Sequence, residues 1–329
     1  MFEEKTVKLG LLNRIAALGL AAMMVAGLAH GQTYPNRSVR LVVGFAPGGQ
    51  TDLIARLVAQ RLSVHLGQSV VVENRAGADG VLASQQIARA EPDGYTLYLA
   101  TTTHAINASL FKTANYDATA DFTPISLIGE VPNLVVVKAG VNARNLAEFI
   151  ADARARKGAL SYATGSSVTY LAAESFNRAA DIQAQRVPYK GAAPAMTALI
   201  AGDVDYTMVN GLGPVLPLLP TGKVRALAIG GSKRNPSAPD IPTASEAGMP
   251  GFTSTVWYGI LGPAKLPREV VERVGAATRR LLAEPEVLSV FSAQGVEPNF
   301  MVGEEFAAFL RAEVPRWAKL IRDTGASSN

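Results

Sequence analysis

From Val39 onward, strand-like and helix-like stretches alternate, and that alternation constrains the fold more than any other property of this 329-residue chain. Val39-Arg40-Leu41-Val42-Val43 is β-branched and apolar, and it stops at a turn rich in Gly and Pro. A helix is expected from near Asp52, because Ile54, Val58, Leu62 and Leu66 recur every fourth residue and make one buried stripe, with Gly67 as its stop. The theme continues with a strand over 70–72, a helix over 78–90, a Glu91-Pro92-Asp93-Gly94 turn and a strand over 95–100. In the middle, strands are expected over 134–138, 160–163, 204–209 and 223–229, and helices over 146–156, 168–179 and 193–201. A Pro-rich segment (214–220) and a polar loop (230–242) interrupt them. Such alternation implies right-handed crossovers and an α/β fold, a parallel sheet with helices on both faces.

The last third reads differently. Residues 252–261 are extended and aromatic, and 268–282, 285–294 and 304–324 are helical, with apolar stripes and acidic starts. This layout predicts two α/β lobes, with the C-terminal helices packing back on the first. The crossings fall near Pro132 and Thr253, so lobe 1 is 32–132 plus 253–329 and lobe 2 is 133–252.

The front of the chain reads as an export signal. Lys5, Lys8 and Arg14 precede an uncharged run from Ile15 to Ala29, too short for a comfortable span, and Ala29-His30-Gly31 places small residues where a signal peptidase cuts. Residues 1–31 are therefore expected to be removed before Gln32, and the mature protein to be periplasmic. Their loss takes three cations and two anions (Glu3, Glu4), so the formal charge falls from +4 to +3. That mild balance, without a basic block, excludes a nucleic-acid partner and slightly favours anionic solutes. The chain has no cysteine, which removes disulfides, thiolate metal sites, cysteine nucleophiles and an acylated anchor.

Two motifs carry the candidate chemistry. Gly44-Phe45-Ala46-Pro47-Gly48-Gly49-Gln50-Thr51-Asp52 joins a strand end to a helix start. Glycines there let backbone N–H groups approach a ligand, and the helix N-terminus attracts anions. Thr51 adds a hydroxyl, Asp52 is placed to cap the helix, and Phe45 can cover an apolar part of a ligand. An ordinary tight turn uses the same residues. No Gly-Lys-Ser/Thr follows, and the adjacent glycines do not match a dinucleotide fingerprint. The second motif, Ala163-Thr164-Gly165-Ser166-Ser167-Val168-Thr169-Tyr170, stands at an equivalent junction in the other lobe, where its hydroxyls either cap the helix or bind. Two such turns facing each other across a cleft would hold both oxygens of one carboxylate, at the carboxyl ends of strands. Thr102 and Thr103, after the third strand, would border that cleft.

Catalytic constellations are scarce. Outside the leader the histidines are His65 and His104. Ser166, His104 and Asp52 can be imagined as a triad, but no Gly-x-Ser-x-Gly elbow is present. No His-Glu-x-x-His helix or clustered metal-ligand set occurs. No metal and no cofactor are expected, and Trp257 and Trp317 read as packing residues.

These motifs, in order, resemble the Bug family of periplasmic solute receptors of tripartite tricarboxylate transporters. The likeness covers essentially the whole mature chain. It includes Tyr34-Pro35, the 45–52 motif, Val71-Val72-Glu73-Asn74-Arg75-Ala76-Gly77-Ala78, Pro92-Asp93-Gly94-Tyr95-Thr96-Leu97, Val187-Pro188-Tyr189-Lys190-Gly191, Pro242-Thr243-Ala244-Ser245-Glu246-Ala247-Gly248 and Trp257-Tyr258-Gly259. The resemblance implies a two-lobe, periplasmic-binding-protein-like (type II) fold that closes on its ligand. It also implies that the loops matching 45–52 and 163–167 bind a solute carboxylate, partly through ordered water, and that second-lobe residues, here including Tyr189 and Asn210, meet the far end. Three departures stand out. Gly44 replaces a frequent Pro, the second turn is about two residues shorter with Tyr170 for a frequent His, and Asn210 replaces a common Asp. A neutral amide at 210 pairs poorly with an ammonium group, which points away from amino-acid solutes. The expectation is a monomeric, non-enzymatic receptor for a mono- or dicarboxylate, aromatic acids included, that delivers its solute to membrane permease subunits. A sensor feeding a kinase, or a hydrolase using Ser166 or Ser167, are the rival readings.

Overall fold

The computed structural model describes residues 34–327. The expected leader, residues 1–31, lies outside the described residues. Residues 34–36 are a short irregular segment with a cis bond between Tyr34 and Pro35. From Arg37 the chain builds one body around a ten-stranded sheet.

β1 (Val39–Val43) pairs in parallel with β2 (Val70–Asn74) and β3 (Thr96–Thr101). β9 (Thr255–Pro263) runs antiparallel between β3 and β4 (Phe122–Lys138). β4 is the spine of the molecule. Its first part pairs with β9 through Pro132↔Thr255 and with β10 (Glu297–Val302). Its second part, from Asn133, pairs with β7 (Tyr206–Asn210) and β8 (Val224–Ile229). β7 leads on to β5 (Leu160–Thr164) and β6 (Ala184–Pro188), both in parallel order.

α1 (Gln50–Leu66) forms as its pattern predicts: Ile54, Val58, Leu62 and Leu66 are buried, and Gly67 closes it at φ 72°. α2 (Val81–Ala88) starts later than expected, because Asp79 (φ 54°) and Gly80 (φ 93°) are left-handed and leave only a 3₁₀ turn over Ala78–Gly80. α3 (Thr102–Leu110), α4 (Leu146–Ala155), α5 (Ser167–Ala179) and α6 (Ala192–Ala201) follow. α7 (Arg268–Leu281), α8 (Pro285–Gln294) and α9 (Glu304–Thr324) complete the chain.

Alternate residues of β4 face opposite sides of the sheet, as a pleated strand requires. Val135 and Val137 pack with Phe149, Phe176 and Tyr206, whereas Leu134 and Val136 pack with Leu199, Val209 and Val215. Trp257 is buried with its ring edge-on to Phe306 and Phe309, and Trp317 is buried on α9 with its Nε1–H donated to Glu313 at 2.9 Å, so both are packing residues as read from the sequence. No helix among the described residues is long and apolar enough to cross a membrane.

Candidate functional site

The chemistry gathers where β1, β2, β3, β5 and β7 end at their carboxyl termini. The first turn, 44–52, leaves β1 and enters α1. Ala46, Gly48 and Gly49 are exposed there, and Phe45 and Thr51 are half-buried. Gly48 needs its left-handed φ of 85°. Gly49 is the N-cap of α1 and has no side chain to cap it. The first N–H groups of α1 therefore have no capping side chain, which is the arrangement that attracts an anion.

Asp52 holds this turn from beneath. It is 2% exposed, and its Oδ2 accepts from the Gly48 N–H at 3.0 Å and from Arg56 Nε at 2.9 Å. Its Oδ1 accepts from Asn74 Nδ2 at 2.9 Å, and the same amide also donates to the Phe45 carbonyl at 3.0 Å. Burial raises the carboxyl pKa, but Arg56, the Gly48 amide and Asn74 together outweigh it and hold it at about 2. Asp52 thus caps no helix end, and its carboxylate is turned onto its own loop.

The second turn leaves β5 and enters α5, and it is closed by its own side chains. Ser166 caps α5 in a reciprocal box with Thr169, and Thr169 Oγ1 accepts from both the Gly165 and Ser166 N–H groups at 3.1 Å. Thr164 is buried, and its hydroxyl accepts from Arg186 Nε at 3.1 Å. The Arg186 guanidinium lies 3.6 Å over the Tyr170 ring. Gly165 sits against Gly191, whose carbonyl carbon would be 2.5 Å from any Cβ there. Tyr189 is half-buried and donates its N–H to the Thr164 carbonyl at 2.8 Å. The Ser167 N–H is held by Asp79 Oδ2, 2.8 Å away on the turn after β2.

A third set of residues joins the first turn to the ends of β7 and β4 and to Tyr258 of β9. Gln50 donates to the Gln294 carbonyl at 3.0 Å, and its side chain lies against Gly211. Tyr258 lies beside Thr51, and its hydroxyl donates to Asn210 Oδ1 at 3.4 Å. Burial, only partly offset by Thr51, pushes that phenol up to about 12, so it stays a donor. Asn210 reaches back to Asn133 at 3.5 Å, and Asn133 to Ser254 at 3.0 Å.

Thr102 and Thr103 lie deeper than a cleft border. Both are buried; the Thr102 hydroxyl accepts from the Trp257 N–H at 2.9 Å, and the Thr103 hydroxyl pairs with Thr101 at 2.7 Å. The imagined triad is not assembled. His104 is buried between Ser84 (3.1 Å from Nδ1) and the Ala118 carbonyl (2.9 Å from Nε2), and burial lowers its pKa to about 4. No cluster of three metal-ligating side chains occurs among the described residues. A cavity of about 540 Å³ lies elsewhere, among Ile150, Arg154, Ala180 and Phe252, and does not adjoin the two turns.

Sequence reading missed Asn74, Asp79, Arg186 and Tyr258 as members of this site. Asn74 and Tyr258 lie inside the quoted family motifs and Asp79 directly follows one, so the motifs marked the segments but not the contacts.

A two-lobed α/β body with strand-to-helix turns converging at its strand ends is the architecture of periplasmic solute-binding proteins. Within that class the chain belongs to the family described as "Tripartite tricarboxylate transporter family receptor", whose model matches residues 54–326. The periplasmic binding protein BugD is 32% identical, with a TM-score of 0.78 over 89% of this chain and 99% of its own. Rpa4515 of R. palustris, solved with adipate, is 35% identical, with a TM-score of 0.80 over 89% of this chain and 99% of its own. MatC of Rhodopseudomonas palustris, solved with bound malate, is 34% identical, with a TM-score of 0.75 over 88% and 100%. The family and these neighbours are solute-binding proteins, not enzymes.

Proposed function

We propose that this protein captures a small mono- or dicarboxylate, aromatic acids included, in the periplasm and delivers it to the membrane permease of a tripartite tricarboxylate transporter. The observation that carries the reading is the uncapped N-terminus of α1 behind the exposed Gly48-Gly49 pair. A carboxylate seated there takes N–H groups that no side chain of the turn occupies, and the helix dipole adds to the attraction without an arginine clamp. The adipate and malate of the neighbouring structures fit this chemistry.

In this reading Phe45, Ala46, Gly48, Gly49 and Thr51 meet the solute carboxylate directly, and Asp52 shapes the loop. Thr164, Gly165, Ser166, Ser167 and Tyr170 face it from the other side, Tyr189 and Asn210 sort the far end, and Thr102 and Thr103 support the floor. The lobes are 32–132 with 253–329 and 133–252, in keeping with the change of β4 partners between Pro132 and Asn133. The solute is trapped by hinge closure, and residues 1–31 direct export.

A thermal-shift screen of residues 32–329 against aliphatic di- and tricarboxylates, aromatic acids and amino acids tests the reading. A ligand at a hundredfold excess over its Kd stabilises the folded state by about 2.7 kcal/mol, which is a readily measured rise in Tm. A hit confined to carboxylates without an ammonium group is the expected result. No shift with any acid, in well-folded protein, overturns it.

A further inference from the structure

We propose that Asp79 is a resident competitor for the solute's carboxylate: its side chain holds the Ser167 N–H at the start of α5, and a solute that bridges the two turns must displace it. This deepens the receptor reading and rests on it.

The geometry places Asp79 between the turns. On one side, Gly80 packs against the first turn, where a Cβ on Gly44 would meet Gly80 Cα at 2.9 Å. On the other, Asp79 Oδ2 accepts from the Ser167 N–H at 2.8 Å, across 88 residues of sequence. The Gly165 and Ser166 N–H groups go to the Thr169 hydroxyl and the Thr169 N–H goes to Ser166 Oγ, all local caps. Ser167 is the one that goes to a carboxylate from another element. That is the bond a solute carboxylate would make there, made instead by the chain.

The position is held in place. Asp79 keeps a left-handed φ of 54°, which Asp tolerates better than most residues, and Asn107 Nδ2 donates to its carbonyl at 2.7 Å. Asn107 Oδ1 is buried without a hydrogen-bond partner, and the Ser167 hydroxyl faces the Asp79 carboxylate without closing a bond of normal geometry. Unused polar capacity is therefore left on two of the residues that touch Asp79.

Among the described residues, no cation neutralises it. The groups that bear on Asp79 are the Ser167 amide and hydroxyl. The phenols of Tyr98 and Tyr116 feel its charge. His104, on the same helix as Asn107, is turned to Ser84 and Ala118. Desolvation raises the Asp79 pKa above the ordinary carboxylate range, against the opposing pull of Ser167. An ionised Asp79 is thus poorly compensated, and a second carboxylate beside it is repelled as well as excluded from Ser167. A latched state populated about nine times in ten weakens the apparent affinity for a carboxylate about tenfold.

The experiment has two arms, both on the mature chain. In the first, the Ser167 amide of the wild-type protein is followed by ¹⁵N–¹H NMR from acid to neutral pH, with Asp79→Asn as control. Its shift is expected to titrate with a midpoint above that of an ordinary carboxylate and to lose that response in Asp79→Asn. An amide indifferent to pH in the wild type overturns the proposal whether or not any variant folds. In the second, adipate, malate and benzoate are titrated by calorimetry into wild type, Asp79→Asn, Asp79→Gly and Gly49→Asp. The acid that binds is expected to bind Asp79→Gly about tenfold more tightly than wild type, with Asp79→Asn between. Equal or weaker binding by both Asp79 variants, with binding still lost in Gly49→Asp, overturns the competitor alone. No binding of any acid to any of the four proteins overturns carboxylate capture and the competitor with it.

Discussion

The two strand-to-helix turns occupy equivalent places, yet they treat their helix starts in opposite ways. The turn before α1 has glycine at the N-cap and no side chain over its first N–H groups. The turn before α5 has serine at the N-cap, a reciprocal Thr169 bond, and Asp79 on the next amide. Their supports are also inverted. Asp52 and Asn74 brace the first turn from behind and leave its front exposed, whereas the side chains of the second turn fold over the front itself. Topology alone therefore does not make an anion site. What decides is whether the sequence places its acceptors behind the helix end or across it.

The sharpest way to break this contrast is to give the first turn the cap it lacks. Gly49 has an ordinary φ of −79°, and a Cβ there would meet only the Ala46 carbonyl at 3.9 Å. In Gly49→Asp, the new carboxylate can accept the first N–H groups of α1 and close the site. Solute affinity is expected to fall about a hundredfold or more, some 3 kcal/mol, while unfolding free energy changes by only a few tenths of a kcal/mol. Calorimetry and denaturant titration on the same sample separate the two. Wild-type affinity in this variant would refute the placement of the carboxylate.

A second test exchanges the sensitivity. Gly165→Ala forces a Cβ into the Gly191 backbone, and should cost about 1–3 kcal/mol of stability. Gly49→Ala, with open space, should stay within about 0.5 kcal/mol of wild type. Equal losses in the two variants would show that the second turn is not the more tightly packed.

The smallest expected effect concerns acid stability. The Asp52 pKa is held at about 2 against an ordinary 3.8. A depressed carboxylate stabilises the fold above its unfolded pKa, and that contribution is lost as pH falls through the folded one. The wild type should therefore lose about 1–2 kcal/mol between roughly pH 4 and pH 2, after discounting for the exposed Arg56 partner. Asp52→Asn should show a flatter acid limb, measured by chemical denaturation at each pH.

Where structure is local, the chain is readable. The stripe of α1, its Gly67 stop and both turns follow from spacing and turn chemistry alone. The first part of β4 does not, because Pro124, Gly129 and Pro132 interrupt its apolar run. The fold accommodates two of these breaks with register shifts at Pro124/Ser126 and Leu127/Gly129. α3 was equally hidden, since Thr101-Thr102-Thr103 reads as a polar loop until Thr101 caps it. At the site, the glycines of 44–52 declared themselves, but the role of Asp79 depends on a residue 88 positions away, which no local pattern encodes. Asn74 and Tyr258 act likewise through tertiary partners.

β4 crosses from one set of partners to the other as a single unbroken strand, from Phe122 to Lys138. Because its hydrogen-bonded register is fixed on both sides of Pro132 and Asn133, neither half can slide past the other without breaking a ladder. The strand behaves as a torsion bar: it resists translation and admits twist. The hinge closure proposed above would then be a rotation about this waist, with the gap between the turns changing most at its tips and least at the pivot where Asn133 pairs with Asn210.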